Sequence, residues 1–286
     1  MDFVSWGRNP WEETVLIRIS WDLFWAALVG GILFLLAHGG YMLFSAYRPK
    51  EDHEVDTLEK AHGHLPSTIE RHSFVARAFH WVMAFSMLAL VFTAFLPVVG
   101  VRFAWVEWHW WAGLLLTASI VFHIIHTTVF LDFWSIWVGP KDIPEARIEL
   151  MRELGKPVPP DAPKPGKYPL GNRLYHLAVL LAGLAVIATG LLMMFRVRTN
   201  LVPRDPYIMS DAAWGWTYVA HGVAAVSFVG LIIAHIYFAL RPEHLWLTKA
   251  MIFGRVSRRQ YLSHHDPSRW VVAKAAGEAK EPHAAV

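Results

Sequence analysis

Residues Ala213–Leu240 read AWGWTYVAHGVAAVSFVGLIIAHIYFAL, a run without Lys, Arg, Asp or Glu but with two histidines, His221 and His235, fourteen residues apart. About 20 mostly apolar residues in a helix cross the hydrocarbon layer of a bilayer, so this stretch is long enough to span it. An ionisable side chain inside a span is costly, and it is functional by default. Fourteen residues of α-helix rise about 21 Å and return to within roughly 40° of the same face. The two imidazoles therefore share one face at two depths.

Working outward, Trp21–Phe44, Phe74–Val99, Phe103–Leu131 and Leu174–Phe195 have the same character, bounded by Pro, Gly and charge clusters. The whole chain of 286 residues is 55% hydrophobic and only 17% charged. This balance implies an all-α integral membrane protein with five spans. Cysteine is absent, which excludes disulfides, iron–sulfur clusters, c-type haem attachment and thiolate nucleophiles. Met1–Ser20 lacks the apolar core and cleavage site of a signal peptide.

Lys and Arg are retained on the cytoplasmic side of a span. The segments before the first span, between the second and third, and between the fourth and fifth carry six of them; the other three segments, with Arg71 and Arg77 at the mouth of the second span, carry twenty. The expected orientation is N-terminus out and C-terminus in, across a bacterial cytoplasmic (inner) membrane. The division is residues 1–47 with the first helix, a cytoplasmic loop at 48–73, a four-helix core at 74–262 and a tail at 263–286. The loop Asp132–Gly171 has a Pro-rich strap at Pro157–Pro165, His244–Phe253 suits a helix in the membrane interface, and the last residues suit a disordered tail. No internal repeat stands out.

His53, His62, His64, His72, His244, His264, His265 and His283 fall in loops or tails, where a solvated side chain is the ordinary reading. Inside the spans lie His38, His80, His109, His123, His126, His176, His221 and His235. Only His109 and His221 sit near the outer face. A low-spin b haem needs two neutral imidazoles on opposite faces of its iron, and lone histidines at matching depth on two helices supply them. His235 sits in the inner half, where His38, His80, His123, His126 and His176 compete to be its partner. Arg77, one turn before His80, suits a haem propionate. His123 is the rival, because it repeats the fourteen-residue offset from His109. Spacing leaves that choice open, and two haems are a minimum: a third at the inner level also stays open. Gly113, Gly222 and Gly230 are consistent with haem clearance or with helix packing.

Arg77-x-x-His80-Trp81, His109-x-x-x-Gly113, Gly166-Lys167-Tyr168, Thr189-Gly190, and His221 with His235 fourteen apart together resemble the gamma subunit of membrane-bound formate dehydrogenases and the related b-type cytochromes of nickel–iron hydrogenases, over about 70–262. The resemblance implies a four-helix core with two b haems, ligated by His109 with His221 and by His80 with His235. It also implies electrons received from a partner's iron–sulfur clusters at the outer face and quinone reduced near the inner haem. The first helix, with His38, is additional to that core. The family's polar pair at the quinone site reads here Pro169-Leu170-Gly171-Asn172, leaving Asn172 as a polar contact and His176 as a proton donor.

The expected function is the electron-transferring, quinone-reactive membrane subunit of a larger oxidoreductase. Its expected partners are membrane lipid, quinone and a redox subunit containing iron–sulfur clusters or cytochrome, with no nucleic acid. A stand-alone diheme cytochrome b, serving quinone and a small carrier or superoxide, is the alternative within redox proteins. A histidine-relay transporter is the alternative outside them, and it lacks an inverted repeat or an intramembrane acidic pair.

Overall fold

A computed structural model describes residues 3–44, 53–131, 133–139, 142–154, 156–159 and 162–272. Among them, five helices are long and apolar enough to cross a membrane. These are α1 (Asp22–Phe44), α3 (Phe74–Phe95), α4 (Trp105–Phe130), α6 (Leu170–Met193) and α7 (Asp211–Leu240), and a short helix α2 (His53–Ala61) falls between the first two. Large apolar side chains such as Leu33, Phe85, Val129 and Leu181 face outward, as expected of helices that are apolar all round. The protein is a multi-pass, mostly helical membrane protein.

Two helix ends differ from the hydropathy reading for physical reasons. α3 stops at Phe95, two residues before Pro97, which has no N–H to continue a helix. α6 begins at Leu170, not Leu174. Arg173, which closes the apolar window, is tied to Asp142 at 2.6 Å with both side chains largely buried. The Glu149 carboxylate accepts from the free amides of Leu170 and Gly171 at 2.9 and 3.0 Å, capping the helix start. Glu149 belongs to α5 (Ile143–Glu153).

The chain divides into two compact units. The first holds residues 1–39, 78–133 and 175–237, that is, most of the five spans and an N-terminal hairpin that hydropathy does not signal. Strands β1 (Val4–Arg8) and β2 (Thr14–Ile19) pair antiparallel. The hairpin is anchored by Trp6 on the start of α7, where a Cβ at Gly215 would lie 2.5 Å from the indole. α1 packs through Phe24, stacked on Phe95 at 4.3 Å beside Val229, and through Gly31, which lets Ile233 approach the backbone. Met87, Leu116 and Phe228 centre the packing of the other four helices.

The second unit gathers residues 40–77, 134–174 and 238–286. Strand β3 (Thr68–Glu70) pairs antiparallel with β4 (Arg255–Ser257). Helices α8 (Leu245–Phe253) and α9 (Arg258–His264) complete a small core of Ile69, Ala250, Val256, Tyr261 and Leu262. The helix expected in the interface is thus present as α8, and Ala250 on it is fully buried in this core. The end of the tail, 273–286, lies outside the described residues.

At the centre of this unit Arg71, 2% exposed, lies 5.5 Å from the Trp246 ring centre and 5.3 Å from that of Trp270. Its guanidinium donates to the Lys167 carbonyl at 2.8 Å and to Nε2 of His265 at 3.0 Å. Nδ1 of His265 donates to the Gly166 carbonyl at 2.7 Å, so the imidazole is neutral. Burial, then the Arg71 charge, pushes the His265 pKa down to about 3, while burial lowers that of Arg71 to about 10. The folded unit thus refuses a proton that the unfolded chain takes up near pH 6.5. Stability is full above that pH and falls as pH drops toward 3, by about 2 kcal/mol at pH 5. Protease sensitivity of the Arg241–Trp270 segment is expected to rise over that range, and His265→Gln is expected to flatten the dependence.

Candidate haem sites in the helix bundle

At the hairpin end of the first unit, His109 on α4 faces His221 on α7, with ring centres 6.3 Å apart. Thr93 on α3 gives its hydroxyl proton to the Ala89 carbonyl at 2.7 Å, so its oxygen is free to accept Nδ1–H of His109 at 2.8 Å. Thr189 on α6 does the same, donating to Ala185 and accepting from Nδ1 of His221 at 2.8 Å. Each threonine fixes its imidazole as the Nδ1–H tautomer, leaving the Nε2 lone pair for a metal. Gly190 makes room: a Cβ there would stand 3.4 Å from Cε1 of His221.

Toward the other end of the same helices two further pairs occur. His80 on α3 and His235 on α7 have ring centres 6.2 Å apart, and Tyr175 stacks on His235 at 5.2 Å. His123 on α4 and His176 on α6 are also 6.2 Å apart, and Phe79 stacks on His123 at 4.2 Å with the rings nearly parallel. His38 instead hydrogen-bonds the Tyr237 hydroxyl at 2.6 Å, linking α1 to α7. His126 stacks with Phe122 and Phe130 of its own helix. Asn172 is exposed in the first turn of α6. Arg77 donates to the Ile252 carbonyl, and its buried Nε has no hydrogen-bond partner among the described residues.

The spacing decides what such pairs can hold. With metal–nitrogen bonds of about 2 Å and about 1.2 Å from ring centre to nitrogen, two imidazoles that share a metal from opposite sides would have centres about 6.4 Å apart. The three pairs match this. Among the described residues no group of three or more His, Asp or Glu could hold a bare ion. Paired imidazoles with no further protein ligand would suit haem, which brings the rest of the iron's donors with it. Sequence reasoning missed Thr93, Phe79 and the ring-stacking role of Tyr175. The available signal was that Thr93 and Thr189 each follow a histidine by thirteen residues.

A membrane-spanning helix bundle lined by paired histidines is the architecture of a b-type cytochrome. A family model described as prokaryotic cytochrome b561 matches residues 71–254, most of the chain and all six paired histidines, and the chain belongs to that family. No curated protein matches it. The protein is therefore a membrane b-type cytochrome, binding b haem and serving electron transfer.

The threonines carry a prediction. Thr93→Val or Thr189→Val removes the hydroxyl that accepts the imidazole N–H and weakens that histidine as a donor to iron. Haem affinity at this pair is expected to fall about 10-fold. If the loss falls mainly on the ferric state, the midpoint potential rises by about 60 mV, which redox titration of the alpha band would read.

Proposed function

We propose that the chain is the quinone-reactive membrane subunit of a multi-subunit respiratory oxidoreductase in a bacterial cytoplasmic membrane, with its N-terminus outside. The observation that carries this reading is the placement of His221 and His235 on one face of α7. Each faces a histidine of another helix at metal-ligand spacing, and their levels are about 21 Å apart along the helix. Such pairs hold an electron path across most of a bilayer.

In this reading His109 with His221 grips the outer haem and His80 with His235 the inner one. The 6.2 Å separation of the His80 and His235 rings supports His80 over His123 as the inner partner. Arg77 serves a propionate. When bound, bis-histidine haem supplies one-electron transfer with no open coordination position. The protein's own part is to fix the imidazole tautomers, keep water from the apolar midplane and pass protons to quinone at the cytoplasmic end through polar groups at the start of α6, Asn172 among them. The substrate-oxidising chemistry belongs to a partner carrying iron–sulfur clusters or cytochrome.

The test adds a water-soluble quinol to membranes containing the chain and follows the haem alpha band. Reduction in the wild type, lost in His235→Ala, is the expected result. A wild-type spectrum that ignores quinol, while dithionite still reduces it, would overturn the quinone role.

A further inference from the structure

The contacts reveal a duplication that hydropathy hides. α3 carries Arg77-Ala78-Phe79-His80 with Thr93 thirteen residues beyond the histidine, and α6 carries Arg173-Leu174-Tyr175-His176 with Thr189 at the same distance. α4 carries His109 and His123 fourteen apart, and α7 carries His221 and His235 fourteen apart. The core is thus two copies of one helix pair, running in the same sense.

Exchanging the two copies reproduces the observed contacts. Thr93 on His109 becomes Thr189 on His221, both at 2.8 Å. Phe79 stacked on His123 becomes Tyr175 stacked on His235. The His109–His221 pair maps onto itself, while His80–His235 maps onto His176–His123 with the same 6.2 Å separation. Arg77 and Arg173 correspond as well, and each has a buried Nε without a hydrogen-bond partner among the described residues.

We infer that His123 and His176 ligate a third bis-histidine b haem, beside the one expected at His80 and His235. The inference rests on the reading that these pairs hold haem, and it goes beyond the two-haem core. His123 and His176 make no ring hydrogen bond among the described residues, in contrast to His38, which is satisfied by Tyr237. A buried structural histidine is ordinarily bonded to a carbonyl or hydroxyl, whereas two facing imidazoles without such bonds fit a shared metal. With no third protein ligand grouped with them among the described residues, the pair would hold a metal that carries its other donors with it, as an iron porphyrin does. His176 thereby leaves the quinone site, and Asn172 remains there as the polar contact.

The experiment counts haem. The full-length chain is purified in detergent, and its haem is measured as the pyridine haemochrome against protein from amino-acid analysis. Three haems per chain are expected, falling to two in His123→Ala and in His176→Ala. His176→Met is expected to keep three while raising one midpoint potential, because methionine–histidine ligation favours the ferrous state. Should an alanine variant fail to fold, the wild-type count and the methionine variant decide the matter. Two haems in the wild type overturn the inference, whether His123→Ala leaves them unchanged or removes one by being the inner ligand itself. A wild type without haem would overturn instead the reading that the pairs hold haem.

Discussion

His221→Ala is expected to cost the purified chain one haem and to leave the haems at the other end of the bundle in place. His221 and His109 are the histidines at the hairpin end of the helices, so among the described residues no other imidazole stands ready to replace the lost ligand. His109 would keep its bond to Thr93, but one imidazole in a cavity widened by a lost ring would hold haem far less tightly than two. The loss of a direct metal ligand exceeds the 10- to 100-fold effect typical of an outer-shell partner, so occupancy falls to near zero at ordinary haem concentrations. Electron transfer through that end of the molecule would cease, while dithionite would still reduce the remaining haems. His109→Ala should give the same spectrum, because either change dismantles the same pair. His38→Ala is the control: its ring bonds a tyrosine of α7, and its removal should leave the haem count unchanged. Retention of the full count in both His109→Ala and His221→Ala would refute this pair as ligands.

Why the hairpin-end pair was readable and the inner one was not follows from what depth can tell. Depth along a span is fixed by the rise per residue, and only His109 and His221 lie at their level. At the other level five histidines compete with His235, and the choice depends on how each helix is rotated about its axis. That rotation is set by packing, such as the Leu116, Met87 and Phe228 core, which no spacing rule reveals. The spans were legible because apolar runs of that length have one stable arrangement in lipid. Their ends were less so where a charge is neutralised by a distant residue, as Arg173 is by Asp142. The β1–β2 hairpin escaped because it is held by Trp6 over Gly215, a contact between positions far apart in sequence. The duplication escaped for another reason: its matching positions are few, and the connection between α6 and α7 is longer than that between α3 and α4.

Gly254→Ala is expected to destabilise the second unit by about 2–4 kcal/mol, and a larger residue by more. Gly254 ends α8 with φ +84°, a left-handed conformation that costs a residue with a side chain about 1–2 kcal/mol. Strain is only part of the penalty. A Cβ at this position would stand 2.7 Å from the His72 carbonyl oxygen and 3.1 Å from Nε of Arg77. A backbone oxygen cannot yield as a side-chain tip can, so the strand or the start of α3 must move. The Gly254 carbonyl also accepts from the amides of Arg71 and His72, at 2.8 and 3.1 Å. Any shift that relieves the clash loosens the point where the β3–β4 pair meets α3, and with it the packing around Arg71. The expected readout is faster proteolysis of the Arg241–Trp270 segment at neutral pH, with the His109–His221 haem spectrum unchanged. If the variant resists protease as the wild type does, the φ and the contact assigned to this glycine are wrong, because an alanine there has no strain-free alternative.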